Sequence, residues 1–412
     1  MLDRPISAVS PAGSDSLFRH PPFLLYVGAS GISELSHQIA AVALGWQVYA
    51  LTRSAFDLGA LGLVAFIPTA VLVFIAGHAA DRYDRRRLAQ LCQLAAGLTA
   101  IFLAWGSFAG WLTVAEIFAA VAVLGTVTAF EGPAAAALLP GVAPDGMLQK
   151  GTALSTGMFQ VAMISGPALG GLTYTLSPSA PYAMMAVFWF LAAVLNGAIR
   201  LQRPVRARSL PTLGALFAGV RFVRRNPAIF GTISLDLFAV LLGGATTLLP
   251  IYVRDILHTG AWGLGVLRAA PAVGALLMAA VLARRPIEHR AGVRMFQAVI
   301  VFGLATVIFA ISRSMWLSAA ALAVLGAADA VSMVVRIALV QLATPDAMRG
   351  RVGAVNFLFV NASYQLGGFE SGVTAALLGV VPAVVLGGIG TVAVALIWMK
   401  LFPALRTVER LE

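Results

Sequence analysis

The sequence predicts an all-α integral membrane protein with twelve transmembrane helices arranged as two six-helix pseudo-repeat bundles. Three observations predict it. First, 60% of the 412 residues are hydrophobic and 11% charged, with a mean hydropathy of +0.90, whereas soluble domains carry roughly 25% charged residues. Second, apolar runs near the ~20 residues needed to cross a bilayer recur at 23–51, 57–78, 88–107, 112–139, 151–176, 181–200, 228–252, 261–283, 293–312, 315–343, 353–379 and 382–402. Third, the chain repeats itself. At an offset of 201, Val123-Leu124-Gly125 matches Val324-Leu325-Gly326, Pro144-Asp145 and Met147 match Pro345-Asp346 and Met348, and Gly166 and Gly171 match Gly367 and Gly372. At an offset of 203, Tyr49, Gly62 and Pro68 match Tyr252, Gly265 and Pro271.

In chain order, residues 1–22 are expected to form a cytoplasmic tail. They are mixed and Pro/Ser-containing, and the run after them is span-length without a cleavage site, unlike a signal peptide. Residues 23–200 form the first bundle. Between its second and third spans lies Gly77-His78-Ala79-Ala80-Asp81-Arg82-Tyr83-Asp84-Arg85-Arg86-Arg87, with six charges in the last seven residues. Such a stretch belongs in water or headgroups and, with four arginines, on the cytoplasmic side.

Residues 201–227 form a cytoplasmic linker. It carries Arg203, Arg206, Arg208, Arg221, Arg224 and Arg225, with Pro204, Pro211 and Pro227 as breakers. Leu213, Leu216, Phe217 and Val220 fall at helical spacing, as in an amphipathic helix on the inner leaflet. Residues 228–402 form the second bundle and 403–412 a cytoplasmic tail. An even number of spans returns the chain to the side it left. All but five of the 28 Lys and Arg then face the cytoplasm, the exceptions being Arg53, Arg254 and Arg313 in outer loops and Arg268 and Arg336 within spans. This reads the net charge of +11 as topology, since a nucleic-acid face needs clustered basic residues on a soluble surface. Cys92 is the only cysteine, a small apolar residue in a span.

An ionisable side chain in a span costs at least ~2.5–3.5 kcal/mol on insertion scales, which makes each one a functional candidate. Glu34 lies about 16 Å into the first span, near the midplane of a ~30 Å hydrocarbon core. His37 and Gln38 share its helix face. Glu131, Asp236, Asp329 and Arg336 place charges in spans four, seven and ten. If the halves are repeats, spans one, four, seven and ten line one central cavity. A buried carboxyl resists ionisation, which suits a proton carrier; the alternative is an ion pair fastening helices, for example Glu131 or Asp329 with Arg336. Arg268 and Glu370 fall outside this set of spans. Glu34-x-x-His37 matches a metal-ligand spacing, but the other histidines fall at loops or span ends, so no metal site is expected.

Gly166-Pro167-x-x-Gly170-Gly171 in the fifth span predicts a hinge or a close helix contact, because proline removes a backbone donor and glycine admits another backbone. The sequence shows no serine or cysteine nucleophile motif, no HExxH and no phosphate-cradling loop. It also lacks a soluble domain for ATP. An enzyme, a primary pump or a non-transporting sensor is therefore disfavoured.

These residues resemble the major facilitator superfamily over about 23–402. Gly77-x-x-x-Asp81-Arg82-x-x-Arg85-Arg86 is similar to its signature between helices 2 and 3. The resemblance implies that Gly77, Asp81, Arg82, Arg85 and Arg86 belong to a latch on the cytoplasmic side of the outward-facing state. Asp84 stands where the general pattern has glycine, and Arg284-Arg285 resembles a degenerate second copy. Gly166-Pro167-x-x-Gly170-Gly171 looks like the core motif of drug/proton antiporters, although Ala162 replaces an upstream glycine and Phe130-Glu131-Gly132 stands where their fourth helix carries arginine. Leu216-Phe217-Ala218-Gly219-Val220-Arg221-Phe222 and Thr344-Pro345-Asp346-Ala347-Met348-Arg349-Gly350-Arg351 resemble the branch that holds the enterobactin exporter.

The resemblance implies a monomer of the bacterial inner membrane with both termini cytoplasmic. It would export an organic, partly apolar small molecule by alternating access, with no cofactor beyond the proton gradient and no nucleic-acid partner. Multidrug efflux is one such role. A lysophospholipid flippase, a siderophore or metal transporter, and an importer are the alternatives on the same fold.

Overall fold

The computed structural model describes residues 17–144, 146–200, 213–287, 289–406 and 408. Most of the predicted N-terminal tail, half of the C-terminal one and the start of the linker lie outside these residues, as do the side chains of Asp81, Leu213, Leu216 and Phe217. The first half is built from α1 (Pro21–Thr52), α2 (Ala55–Arg82), α3 (Arg85–Ala109), α4 (Val114–Val142), α5 (Leu148–Leu176) and α6 (Ala180–Ala198). The linker helix is α7 (Leu213–Arg225). The second half comprises α8 (Pro227–Leu242), α9 (Ala261–Arg284), α10 (Ala291–Ile311), α11 (Met315–Leu342), α12 (Asp346–Leu378) and α13 (Val380–Leu401).

Local chemistry sets the helix ends. Ser54 Oγ accepts from the Asp57 amide at 3.2 Å, Asn226 Oδ1 accepts from Ala228 and Ile229 just before Pro227, and Thr113 with Glu116 closes a capping box on α4. Each such cap satisfies donors that the first turn leaves orphaned. Among the described residues, nine helical segments are long and apolar enough to cross a membrane, fewer than the twelve runs predicted. α1, α5 and α12 miss that mark although they run 32, 29 and 33 residues. The polar residues along their faces, including Ser33, Glu34, His37 and Gln38 in α1, lower their hydropathy.

Two further expectations are corrected. The connection that the apolar runs leave at 79–87 shrinks to two residues: α2 stays helical through Arg82, and Tyr83 and Asp84 alone turn the chain into α3. Asp84 Oδ1 accepts from the Arg86 and Arg87 amides at 3.0 and 3.4 Å, which lets α3 start at once. The seventh span is also not one helix. It breaks at Gly243-Gly244 and continues as a 3₁₀ turn (Ala245–Leu248) and a π turn (Tyr252–Ile256). Gly244 is pressed against the Gly367 carbonyl and Ser371 of α12, so a side chain has no room there.

The halves repeat in space as in sequence. Packing of α1 on α5 and α6, α2 on α4, and α3 on α4 and α6 is matched by α8 on α12 and α13, α9 on α11, and α10 on α11 and α13. The paired glycines occupy equivalent contacts. Gly166 abuts Leu35 and Gln38 of α1, while Gly367 abuts Val240 and Leu241 of α8. Gly125 meets the Ala65 carbonyl of α2, while Gly326 meets the Pro271 carbonyl of α9. Across the divide, Gly171 meets Ala261 and Gly265 of α9, while Gly372 meets Ala55 and Gly59 of α2. α5 and α12 are thus the crossing helices, each set on the second helix of the opposite half.

The molecule closes at one end. The end away from the Tyr83-Asp84 turn holds one continuous apolar core drawn from both halves, including Val48, Tyr49, Leu248, Leu249, Tyr252 and Leu264. At the turn end the core separates by half. Phe23, Tyr26, Leu138 and Ile199 cluster in the first half, and Ile229, Val352, Phe296 and Leu405 belong to clusters of the second. The turn-end portions of α5 and α9 are accordingly exposed, with Phe159 at 47% and Leu277 at 63%.

Candidate functional site

A cavity of about 410 Å³ lies between α1, α4 and α5. Tyr26, Val27, Met158 and Phe159 give it apolar walls, and Ser30, Ser33, Glu34, His37, Thr128, Glu131 and Ser155 give it polar ones. Met158 takes its place because Gly31 leaves room for its methyl group. Among the described residues, a space of about 490 Å³ between α11 and α12 is lined without any titratable side chain.

Glu131 is the most heavily bonded group in the first cavity. It is 8% exposed, and α1, α3 and α6 converge on it. Ser33 Oγ donates to Oε1 at 2.6 Å and Gln93 Nε2 donates to the same oxygen at 2.8 Å. His37 Nε2 faces Oε2 at 3.4 Å. Asn196 Nδ2 donates to Gln93 Oε1 at 2.9 Å and so fixes the amide that fixes the carboxylate. The His37 ring stands edge-on to Trp189 at 5.3 Å. A carboxylate desolvated this far needs several donors to remain charged, and this one has them while still bordering an open cavity. Glu34 lines the same cavity one turn away and accepts from Gln38 Nε2 at 2.7 Å. The three α1 residues expected on one face thus split, with His37 serving Glu131 and Gln38 serving Glu34.

The second half holds its own cluster. Arg336 is paired with Asp236 of α8, and its Nη2 lies 3.7 Å from Asp329 Oδ1. Tyr364 of α12 donates to the other Asp329 oxygen at 3.5 Å. Room of about 10 Å³ beside Asp236 and Asp329 is on the order of one water. Of the pairings considered from sequence, Asp329 with Arg336 is present; Glu131 instead bonds within its own half. Asp236, for which the sequence suggested no particular partner, is paired with Arg336. The acids form two clusters, one per half: Glu34 and Glu131 line the α1–α4–α5 cavity, and Asp236 and Asp329 border the small space beside Arg336. Glu370 accepts from Thr374 within α12 at 2.7 Å and belongs to neither. Among the described residues no three His, Cys, Asp or Glu side chains gather as metal ligands would.

Around the α2–α3 turn, Arg85 Nε donates to the Ala80 carbonyl and its Nη1 to that of Ala137, both at 3.1 Å. Arg86 Nη1 donates to the Ile199 carbonyl at 2.5 Å. These two arginines therefore tie α2, α4 and the end of α6 within the first half. Gly77 is buried and Arg82 exposed, and Asp81 has no described side chain. In α5 the helix is unbroken through Pro167. Gly166 and Gly170 give α1 its approach, with the Ile39 carbonyl 3.2 Å from where a Gly170 Cβ would stand, and Gly171 and the Pro167 carbonyl face Gly265.

Sequence reading passed over Ser33, Gln93 and Asn196, whose signal was available as buried amides and a hydroxyl in spans. It also passed over a clasp at the closed end. There Tyr49 of α1 donates to Asp255, and Arg53 Nη1 donates to the other carboxylate oxygen at 3.1 Å. Arg254 lies over the Trp46 ring at 6.0 Å.

The comparisons with known proteins agree with this architecture. A family model described as transmembrane secretion effector matches residues 12–411. The enterobactin exporter EntS of Citrobacter koseri is 25% identical over 94% of this chain and 93% of its own. Among solved structures, a mutant of the nucleoside transporter NupG superposes with a TM-score of 0.74 at 14% identity, covering 92% of this chain and 100% of that one. A bacterial homologue of the iron transporter ferroportin gives 0.70 at 16% identity, covering 95% and 100%.

Proposed function

The chain belongs to the transmembrane secretion effector family of major facilitator transporters, and from that premise we propose that it exports an organic, partly apolar small molecule in exchange for protons. It is a multi-pass membrane protein and a secondary transporter by family. Direction, coupling and address are the proposal: outward movement across a bacterial inner membrane, with the Tyr83-Asp84 turn in the cytoplasm. The similarity to proteins named as enterobactin exporters supports export. The side-by-side apolar and polar walls of the α1–α4–α5 cavity support an amphiphilic organic solute.

One observation carries the coupling assignment: the Glu131 carboxylate sits on the cavity wall against His37, in a site that opens toward the turn end. A proton arriving there is shared between imidazole and carboxylate. Protonation removes the charge that Ser33 and Gln93 hold in place. Loss of that charge lowers the cost of closing apolar helix surface over the site, and rocking of the two halves about it gives alternating access. Glu34 and Gln38 bound the solute side of the same cavity. Asp236, Asp329 and Arg336 brace the second half. Gly77, Asp81, Arg82, Arg85 and Arg86 latch the turn end when it shuts. The chain acts as a monomer.

The test is a pH-sensitive dye inside proteoliposomes exposed to a panel of organic solutes. Wild-type protein moves protons when a substrate is added. Glu131→Gln still exchanges that substrate but moves no protons, and Glu34→Gln weakens solute affinity. Proton movement that survives Glu131→Gln removes this assignment.

A further inference from the structure

One cation stands apart from every pairing above. Arg268 lies seven residues into α9, about 10 Å from its start at ~1.5 Å per residue. The other charges within the spans have partners: Glu34 accepts from Gln38, Glu131 from Ser33 and Gln93, and Glu370 from Thr374, while Asp236 and Asp329 share Arg336. Arg268 has no hydrogen-bond or ion-pair partner among the described residues. A carboxylate can become neutral by taking up a proton, whereas a guanidinium keeps its charge, so the half-buried Arg268 side chain remains a cation without a protein counter-charge.

Its place on the helix is fixed by its neighbours. Gly265, three residues before it, meets Pro167 and Ala168 of α5, and the Ala272 carbonyl, four residues after it, accepts from Gln160 Nε2 at 3.2 Å. Positions 265, 268 and 272 share one helix face, so Arg268 is on the face of α9 turned to α5, at the seam between the halves. The α5 contacts with α1 give its depth: Met158 meets Gly31, and Gly166 meets Leu35 and Gln38. Interpolating along α5 brings Arg268 level with Glu34, just on the open side of the glycine contact that closes the seam.

We propose that Arg268 is an anion anchor on the transport route, and that the solute carries a carboxylate or comparable oxyanion beside its apolar body. A guanidinium offers a planar fork of donors that takes such a group bidentately. An oxyanion reaching the seam would supply the partner that the fold withholds. This rests on the transport reading in one respect, that a solute passes this seam.

The test uses the full chain in detergent micelles, with thermal unfolding followed by size exclusion. The probes are phenylacetate, 2-naphthoate and cyclohexanecarboxylate, each beside its neutral amide. At least one carboxylate raises the unfolding midpoint of wild-type protein while its amide does not. Arg268→Gln abolishes that shift, and Arg268→Lys, which keeps the charge but not the fork, retains part of it. Two outcomes overturn the proposal: no carboxylate stabilises the wild type, or the shift persists in Arg268→Gln. Loss of proton coupling as a property of the wild type, with the carboxylate shift intact, fells the transport reading alone. Transport of a neutral solute by Arg268→Gln with no anion shift in the wild type fells the anchor alone.

Discussion

Weakening the clasp at the closed end should open that end by a calculable amount. Tyr49 is 5% exposed and donates to Asp255, whose other oxygen takes Arg53. Tyr49, Arg53 just after α1, and the π turn after α8 belong to opposite halves, the first two to one and the turn to the other, so these bonds exist only while that end is shut. A hydrogen bond to a charged group contributes about 1.5–3 kcal/mol. The Arg53 pair, with side chains 53% and 38% exposed, is discounted for solvent to about 0.2–1 kcal/mol. Asp255→Asn keeps an acceptor for Tyr49 but loses the charge, so its cost is about 1–2 kcal/mol, a shift of about 5 to 30-fold toward the open end. Tyr49→Phe should shift the balance more than Arg53→Gln. Spin labels at Leu51 and Trp316, both exposed, with Cys92 replaced by serine, report the separation by pulsed electron resonance. The long-distance population is expected to be largest in Tyr49→Phe, smaller in Asp255→Asn and smallest in Arg53→Gln. Unchanged distances in all three, or a dominant effect of Arg53→Gln, would refute the argument.

Gly372→Ala should act on the same equilibrium, since its Cβ would stand 2.7 Å from Gly59 Cα; an overpacking cost of about 1–3 kcal/mol falls on the closed end, and the same label pair reads it. Arg336→Leu leaves Asp236 and Asp329 facing each other without their cation, and thermal unfolding in detergent should register a loss of about 3–5 kcal/mol. Replacing Asp236 and Arg336 together by leucine should recover much of it. Tyr83, 64% exposed at the α2–α3 turn, becomes a marker of sidedness as Tyr83→Cys. An impermeant maleimide should label it in inverted vesicles and not in intact cells, and labelling in intact cells would reverse the orientation.

Much of the architecture was readable because a membrane leaves few options: apolar runs must be helices. The internal repeat was readable at a finer grain. Gly166 with Gly367 and Gly171 with Gly372 were matched on spacing alone, and each pair makes equivalent contacts. Those positions tolerate one residue type, which keeps the signal visible. Pairing of charges was less readable. That Glu131 takes His37, Ser33 and Gln93 depends on helix rotation within a half, and an apolar sequence of low amphipathicity does not set rotation. The break in the seventh span was hidden for a related reason, since Gly243-Gly244 is ordinary in a span until α12 is placed against it. The Tyr49–Asp255 clasp joins residues 206 apart, and no local pattern points across that distance.

The crossed glycine seams also bear on electrical tightness. Where α2 meets α12 and α5 meets α9, backbone touches backbone, with the Cα atoms of Gly59 and Gly372 facing each other. No file of water molecules fits through such a joint, so a cell could keep its voltage while the opposite mouth stands wide. Bulkier residues would part into gaps that ions could thread.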